Sequence, residues 1–193
     1  MLRHSLIIWM AGLFIFFVQP FPVQAAIGIT EVLWMGSDLS TSDEWIELSY
    51  DGCSASGCTL AGSGSLALDG WKLSFVDSKN IEKTFFTFGS DVQIQPTACL
   101  IISHFDASRS RLEREPFGLA PSITLSNTAL LVRLRDAEGL LRDEVGDGKM
   151  PFAGRNASGS SQRASMQRRR LDHAGTDREN WQTADSSFGF DQG

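Results

Sequence analysis

Histidine is scarce in this chain, with three in 193 residues, and none is placed for acid–base or metal chemistry. His104 closes an apolar run and His173 lies in Leu171-Asp172-His173-Ala174-Gly175. Neither stands beside a Gly-x-Ser-x-Gly elbow or in a His-x-x-x-His spacing. Cysteine is equally sparse: Cys53, Cys58 and Cys99 have no fourth Cys or His at ligand spacing, which excludes a structural zinc site. The acidic residues include no Asp-x-Asp-x-Asp-Gly loop of the calcium-binding kind. Positive charge is in deficit, Lys+Arg 17 against Asp+Glu 23 for a formal net charge of −6. Broad binding to a phosphate backbone needs the opposite balance, so nucleic acid is not an expected partner. The longest apolar run, Leu6–Val18, falls short of the about 20 residues that cross a bilayer.

That run nevertheless has a context. Arg3 and His4 precede it, and Pro20, Pro22 and the small-residue stretch Val23-Gln24-Ala25-Ala26 follow. A charged start, an apolar middle and a Val-x-Ala site are the parts of a secretory signal, so residues 1–25 are expected to be removed after Ala25. Retained as an anchor, the same segment would tether the protein to the membrane. Either way the expected location is secreted or cell surface. The remaining residues 26–193, with a core at about 27–184, suit one domain. An oxidising compartment would allow Cys53 and Cys58, which bracket Ser-Ala-Ser-Gly, to form a disulfide, whereas Cys99 in Ala98-Cys99-Leu100-Ile101-Ile102 reads as a buried core thiol.

Period-2 alternation dominates the rest. Leu130, Val132 and Leu134 alternate with Leu131, Arg133 and Arg135; Trp71, Leu73 and Phe75 alternate with Lys72, Ser74 and Val76; Ile46, Leu48 and Tyr50 alternate with Trp45, Glu47 and Ser49. Further strands are predicted over Ile27–Trp34, Thr84–Phe88, Ala98–Ser103, Leu140–Val145 and Ser165–Arg170, each rich in apolar, β-branched or aromatic residues or set after a loop. Turn residues fall between them at Asp51-Gly52, Asp69-Gly70, Asp77-Ser78-Lys79-Asn80, Gln95-Pro96 and Glu138-Gly139. Asp106–Glu115 is the one helix-like segment, and Gly154–Ser161 reads as a flexible loop. Short strands at this spacing predict an all-β, antiparallel β-sandwich. Two inner faces must interdigitate in such a fold, so Trp71, Leu73 and Phe75 are expected to oppose Leu130, Val132 and Leu134 across the core.

The order of these signatures resembles the lamin-tail domain, an immunoglobulin-like sandwich also found in secreted bacterial proteins. The matching segments include Ile29-Thr30-Glu31-Val32, Asp43-Glu44-Trp45-Ile46-Glu47-Leu48, Leu68-Asp69-Gly70-Trp71-Lys72-Leu73, Ile94-Gln95-Pro96 and Cys99-Leu100-Ile101-Ile102. Leu125-Ser126-Asn127, Val132-Arg133-Leu134-Arg135-Asp136, Gly139-Leu140-Leu141-Arg142-Asp143, Ser165-Met166-Gln167-Arg168 and Trp181-Gln182-Thr183-Ala184 continue the series. The family usually has Asn shortly after the Glu-Trp-Ile-Glu-Leu segment, where this chain has Ser49 and Tyr50, and Gly after the proline, where it has Thr97. The resemblance implies a non-catalytic interaction module, sometimes attached to hydrolases.

Candidate sites are few. Asp43, Glu44, Glu47 and Asp143 are the acidic residues from which a structural calcium would draw oxygens, and no other cofactor is expected. Arg163, Arg168, Arg169 and Arg170 form a basic group that could bind phosphate or an acidic polymer, although strand geometry would send Arg169 to the opposite face from its neighbours. Trp34, Trp45, Trp71 and Trp181, with Phe85, Phe86 and Phe88, could build a carbohydrate platform or a sandwich core, and alternation favours the core. The leading expectation is an extracellular interaction or scaffolding module whose partner is a protein or a cell-surface polymer. A glycan- or calcium-binding module, or an accessory domain beside a separate hydrolase, is the alternative; membrane contact would come only through an uncleaved signal.

Overall fold

The computed structural model describes residues 27–50, 64–156 and 163–184. The signal segment 1–25 and the Cys53–Cys58 pair lie outside the described residues. Twelve strands follow in order: β1 (Ile27–Leu33), β2 (Trp45–Tyr50), β3 (Leu66–Ala67), β4 (Lys72–Val76), β5 (Glu82–Thr87), β6 (Gln93–Ile94), β7 (Cys99–Ser103), β8 (Gly118–Leu119), β9 (Leu130–Arg135), β10 (Leu141–Lys149), β11 (Met166–Arg168) and β12 (Trp181–Thr183). A six-stranded sheet has the order β12-β11-β1-β2-β7-β8 and a four-stranded sheet the order β10-β9-β4-β5, while β3 pairs with β6. The fold is all-β with two packed sheets, and their apolar residues join in one core. Among the described residues every strand pairing is antiparallel except β7 with β8, which is parallel.

Alternation places side chains by face. Along β9 Leu130, Val132 and Leu134 are buried while Leu131, Arg133 and Arg135 are half-exposed. The expected opposition of β4 and β9 across the core is corrected: the two strands are neighbours in one sheet, Leu73 beside Leu134 and Phe75 beside Val132. Their apolar residues therefore share a face. The layer against them comes from the six-stranded sheet, in which Val32, Ile46 and Ile102 stand in register on adjacent strands and are fully buried. Burial of such side chains contributes roughly 1.5–3 kcal/mol each. On the other face of the four-stranded sheet Lys72 is exposed, whereas Arg133 and Arg135 are half-buried in ion pairs.

The helix expected over Asp106–Glu115 does not form; the segment is a chain of turns. Local polar side chains compete with the helical ladder there. The Asp106 carboxylate accepts from the Ser108 amide and hydroxyl, the Ser110 hydroxyl accepts from the Leu112 amide, and Glu115 accepts from the Ala107 amide. The strand predicted over Ser165–Arg170 is shorter, three residues long as β11, and Trp181–Thr183 pairs beside it. Cys99, expected in the core, is a half-buried free thiol on β7 that accepts a hydrogen bond from the Arg114 guanidinium at 2.8 Å.

The reversal into β7 is built on Gln95-Pro96-Thr97-Ala98, with the Ala98 amide donating to the Gln95 carbonyl at 3.1 Å. Proline at the second position and a positive φ of 63° at Thr97 make this a type II turn, whose third position favours glycine. A β-branched residue in the left-handed region is strained by roughly 1–2 kcal/mol. Thr97→Gly relieves that strain and loses about 0.4–1 kcal/mol of it to the greater freedom of the unfolded chain. The variant is expected to gain about 0.5–1 kcal/mol in a urea melt with an unchanged m-value. A lower midpoint would show that Thr97 makes a stabilising contact that outweighs its backbone.

Candidate functional site

The acidic candidates do not converge. Asp43, just before β2, is fully buried and accepts from the Ser110 hydroxyl at 2.5 Å and the Arg111 amide at 3.0 Å. Glu44 points elsewhere, its Oε2 accepting from the Leu125 amide at 2.9 Å. Burial pushes the Glu44 carboxyl up to about 8. Glu47 accepts from the hydroxyls of Thr30 at 2.7 Å and Ser49 at 3.4 Å. Asp143 lies on the other sheet. Among the described residues no three His, Cys, Asp or Glu side chains are grouped to hold a metal ion.

The arginines are equally dispersed. Arg168 turns into the interior, its side chain only 3% exposed, and pairs with Asp143 at 2.6 Å. Its Nη1 also donates to the Ile29 carbonyl and its Nη2 to the His173 carbonyl, and the guanidinium lies 5.9 Å from the centroid of the Trp181 ring. The same Asp143 Oδ2 accepts from the Ile29 amide at 2.8 Å. A Cβ on Gly28 would stand 2.8 Å from that oxygen, so only glycine lets the carboxylate approach β1 this closely. Arg163 donates to the carbonyls of Met35 and Ser37, both at 2.8 Å. Arg170 pairs with Asp172 at 2.6 Å, and Asp172 also lies 3.0 Å from the His173 ring. Arg169 is exposed. Arg163, Arg168 and Arg170 thus brace different parts of the chain, and the four present no shared face.

Aromatic residues divide between core and edge. Trp45, whose exposure would favour a glycan platform, is 1% exposed, and Trp34, Trp71 and Trp181 are also buried. At the open side of the molecule the edges of the two sheets meet. Phe86 of β5 lies against β8, where a Cβ on Gly118 would come within 2.5 Å of its ring. Phe88 packs edge-on against Phe86 at 5.0 Å and stacks on Phe117 at 6.0 Å. Phe117 and Leu119 are 45% and 50% exposed beside that cluster. Sequence reading missed both, because a two-residue strand offers no periodicity; the signal available was the apolar pair flanking Gly118.

One further charged array faces outward from the four-stranded sheet. Arg133 bridges Glu82 at 2.9 Å and Glu144 at 2.6 Å, Arg135 meets Glu82 at 2.7 Å, and the Ser74 hydroxyl donates to Glu82 at 2.7 Å. The Arg135 hydrogen bond, with those of Ser74 and Arg133, holds the Glu82 carboxyl down at about 2 against an ordinary 4.5. A lowered carboxyl contributes stability that is present above 4.5 and lost as pH falls toward 2.

Two measurements follow. Arg168→Leu leaves Asp143 buried without its cation and is expected to cost about 3–5 kcal/mol, whereas Arg169→Ala stays within about 0.5 kcal/mol of the parent. Equal losses from the two in urea melts would remove Arg168 from the interior. Glu82→Gln is expected to flatten the acid limb of stability between pH 4.5 and 2. An unchanged acid limb would mean that Glu82 is not held by the two arginines.

No protein-family model, curated protein or solved structure matches this chain.

Proposed function

We propose that the chain is a non-catalytic interaction or scaffolding module of the lamin-tail, immunoglobulin-like type, working in the secreted or cell-surface space. The order of strand signatures supports the family reading, and Thr97 adds to it: where the family has glycine, this backbone holds a φ of 63°. The observation that carries the interaction reading is the open side of the molecule, where Phe117 and Leu119 are exposed beside the edge strands β5 and β8. An unpaired strand edge offers amides and carbonyls to a partner backbone, and adjacent apolar side chains supply the contact area. Exposed apolar groups gathered at one edge are a more specific feature than scattered single ones. The partner class is an extracellular protein or a cell-surface polymer.

Phe117→Asp combined with Leu119→Asp keeps both substitutions on exposed positions. The double variant is expected to melt within about 1 kcal/mol of the parent and to lose at least about tenfold in saturable binding to intact cells of the producing organism. Binding unaffected by the two charges would overturn the edge as the docking surface. Recovery of the expressed chain from the cytoplasm, with Met1 retained, would overturn the location.

A further inference from the structure

The β4–β9 register ends at Phe75 and Val132, although β4 runs on to Val76 and β9 begins at Leu130. Past that last pair, the two strand ends and residues 124–126, on the way from β8 of one sheet to β9 of the other, enclose a cavity of about 300 Å³. Its deep wall is apolar, with Val76, Leu125 and Leu130 all buried, while Ser78 and Thr124 are exposed and mark the mouth. A volume of this order stands at the small end of ligand pockets, which combine an apolar lining with a few polar groups.

The polar side chains along the lining are already engaged. Asp77 Oδ1 accepts from the amides of Lys79 and Ile81 and its Oδ2 meets the Lys83 ammonium at 2.9 Å, while the Ser126 hydroxyl accepts from the amides of Thr128 and Ala129. A charged group carried to the deep wall would lose its water and meet the side chains of Val76, Leu125 and Leu130, so the buried part of an occupant is apolar.

The rim has the opposite character. Of the four lysines in the chain, Lys72, Lys79, Lys83 and Lys149, all but Lys72 stand next to a lining residue. Lys79 follows Ser78, Lys83 pairs with Asp77, and Lys149 is the register partner of Leu130. Lys79 and Lys149 are exposed and have no ion pair among the described residues. The carboxylates at the same strand ends are largely taken, Asp77 by Lys83 and Glu82 by two arginines, which leaves Asp147, whose Oδ1 accepts from the Lys149 amide at 3.0 Å. The rim is therefore locally positive in a chain whose formal net charge is −6. Ile81 and Met150, 52% and 67% exposed, add apolar surface beside these lysines.

We propose that this cavity binds one molecule of an amphiphile, an apolar chain with an anionic carboxylate head. The chain lies against Val76, Leu125 and Leu130, and the head stays at the mouth, on the side of Lys79 and Lys149. A neutral alkyl molecule would gain nothing from the two ammonium groups, and a small inorganic anion would gain nothing from the apolar wall. Charge complementarity orients the ligand, whereas buried methylenes set its affinity, at roughly fourfold each.

Methyl NMR of the full chain at neutral pH and low salt, following Val76, Leu125 and Leu130, tests the site with octanoate, decanoate and octanol as probes. Saturable shifts are expected at these methyls, with decanoate about tenfold tighter than octanoate because it buries two further methylenes. Octanoate should bind at least about threefold tighter than octanol, an advantage that added salt reduces. Lys79→Glu combined with Lys149→Glu, both on exposed positions, should remove that advantage and leave octanol binding unchanged. Ala129→Leu, which places a larger side chain on the lining, should weaken all three probes at least about fivefold. Should that variant fail to fold, the lysine pair still decides. Equal affinity for octanoate and octanol, shifts that never saturate, or a lysine variant that binds octanoate as the parent does would overturn the proposal. So would capture of the chain by phosphatidylglycerol vesicles with no response to decanoate, since the rim would then be a bilayer contact and the cavity no ligand site.

Discussion

Arg168 and Asp143 come from different sheets, β11 and β10, and their contact is made through β1, whose Ile29 gives its amide to the carboxylate and its carbonyl to the guanidinium. Two opposite charges inside a core are costly to desolvate, and their attraction repays that cost only when further hydrogen bonds satisfy them. Here the backbone of Ile29 and His173 completes the set, with the Arg168 Nε left unpartnered. The pair therefore constrains more than it stabilises. Either side chain alone would be a buried, uncompensated charge, so β10 and β11 have to arrive together at β1. Gly28 is part of the same constraint, because a side chain there would occupy the approach of the carboxylate.

From this junction the chain's other charges fall into place as braces. Asp43 fastens the turns at 105–115 to the start of β2, Arg163 fastens the strand entering β11 to the loop after β1, and Glu82 gathers two arginines across the outer face of the four-stranded sheet. A net negative composition suggests free acidic surface, yet several of the carboxylates that stand out in the sequence accept hydrogen bonds from amides or hydroxyls of distant segments. Such contacts are worth more inside the fold than exposed pairs are outside it, since water competes for the latter.

How legible this was from sequence depends on what alternation encodes. Period 2 assigned β2, β4 and β9 and told which side of β9 is buried, because each strand carries its own face in its own residues, while apolar and β-branched content marked β1 and β7. It did not reveal sheet order, so β4 and β9 were expected to oppose each other when they are neighbours; the same alternation serves both arrangements. The turns over 106–115 were mistaken for a helix: Asp106 and Ser110 take nearby amides in place of the helical ladder, and Asp43, far away in sequence, takes the Ser110 hydroxyl and the Arg111 amide. The basic run Arg168-Arg169-Arg170 was visible, but not its dispersal: Asp143 is 25 residues from Arg168, and nothing local marks the two as partners.

The exposed edge and the core place different demands on the same stretch of chain. β8, with Leu119 exposed on it and Phe117 exposed just before it, leads directly into segment 120–129, and the Ala120 amide is fixed to the Ser103 carbonyl at 2.8 Å while the Leu125 amide is held by Glu44. A docking surface needs its apolar groups fixed in advance, since ordering them on contact weakens binding. Beyond the edge the segment is tied into the interior, with Ile123 and Leu125 buried in the core. The two anchors divide the task. The Ser103–Ala120 bond extends the β7–β8 pairing and fixes the edge, while the Glu44–Leu125 bond, with the buried Ile123 and Leu125 side chains, fixes the stretch beyond it.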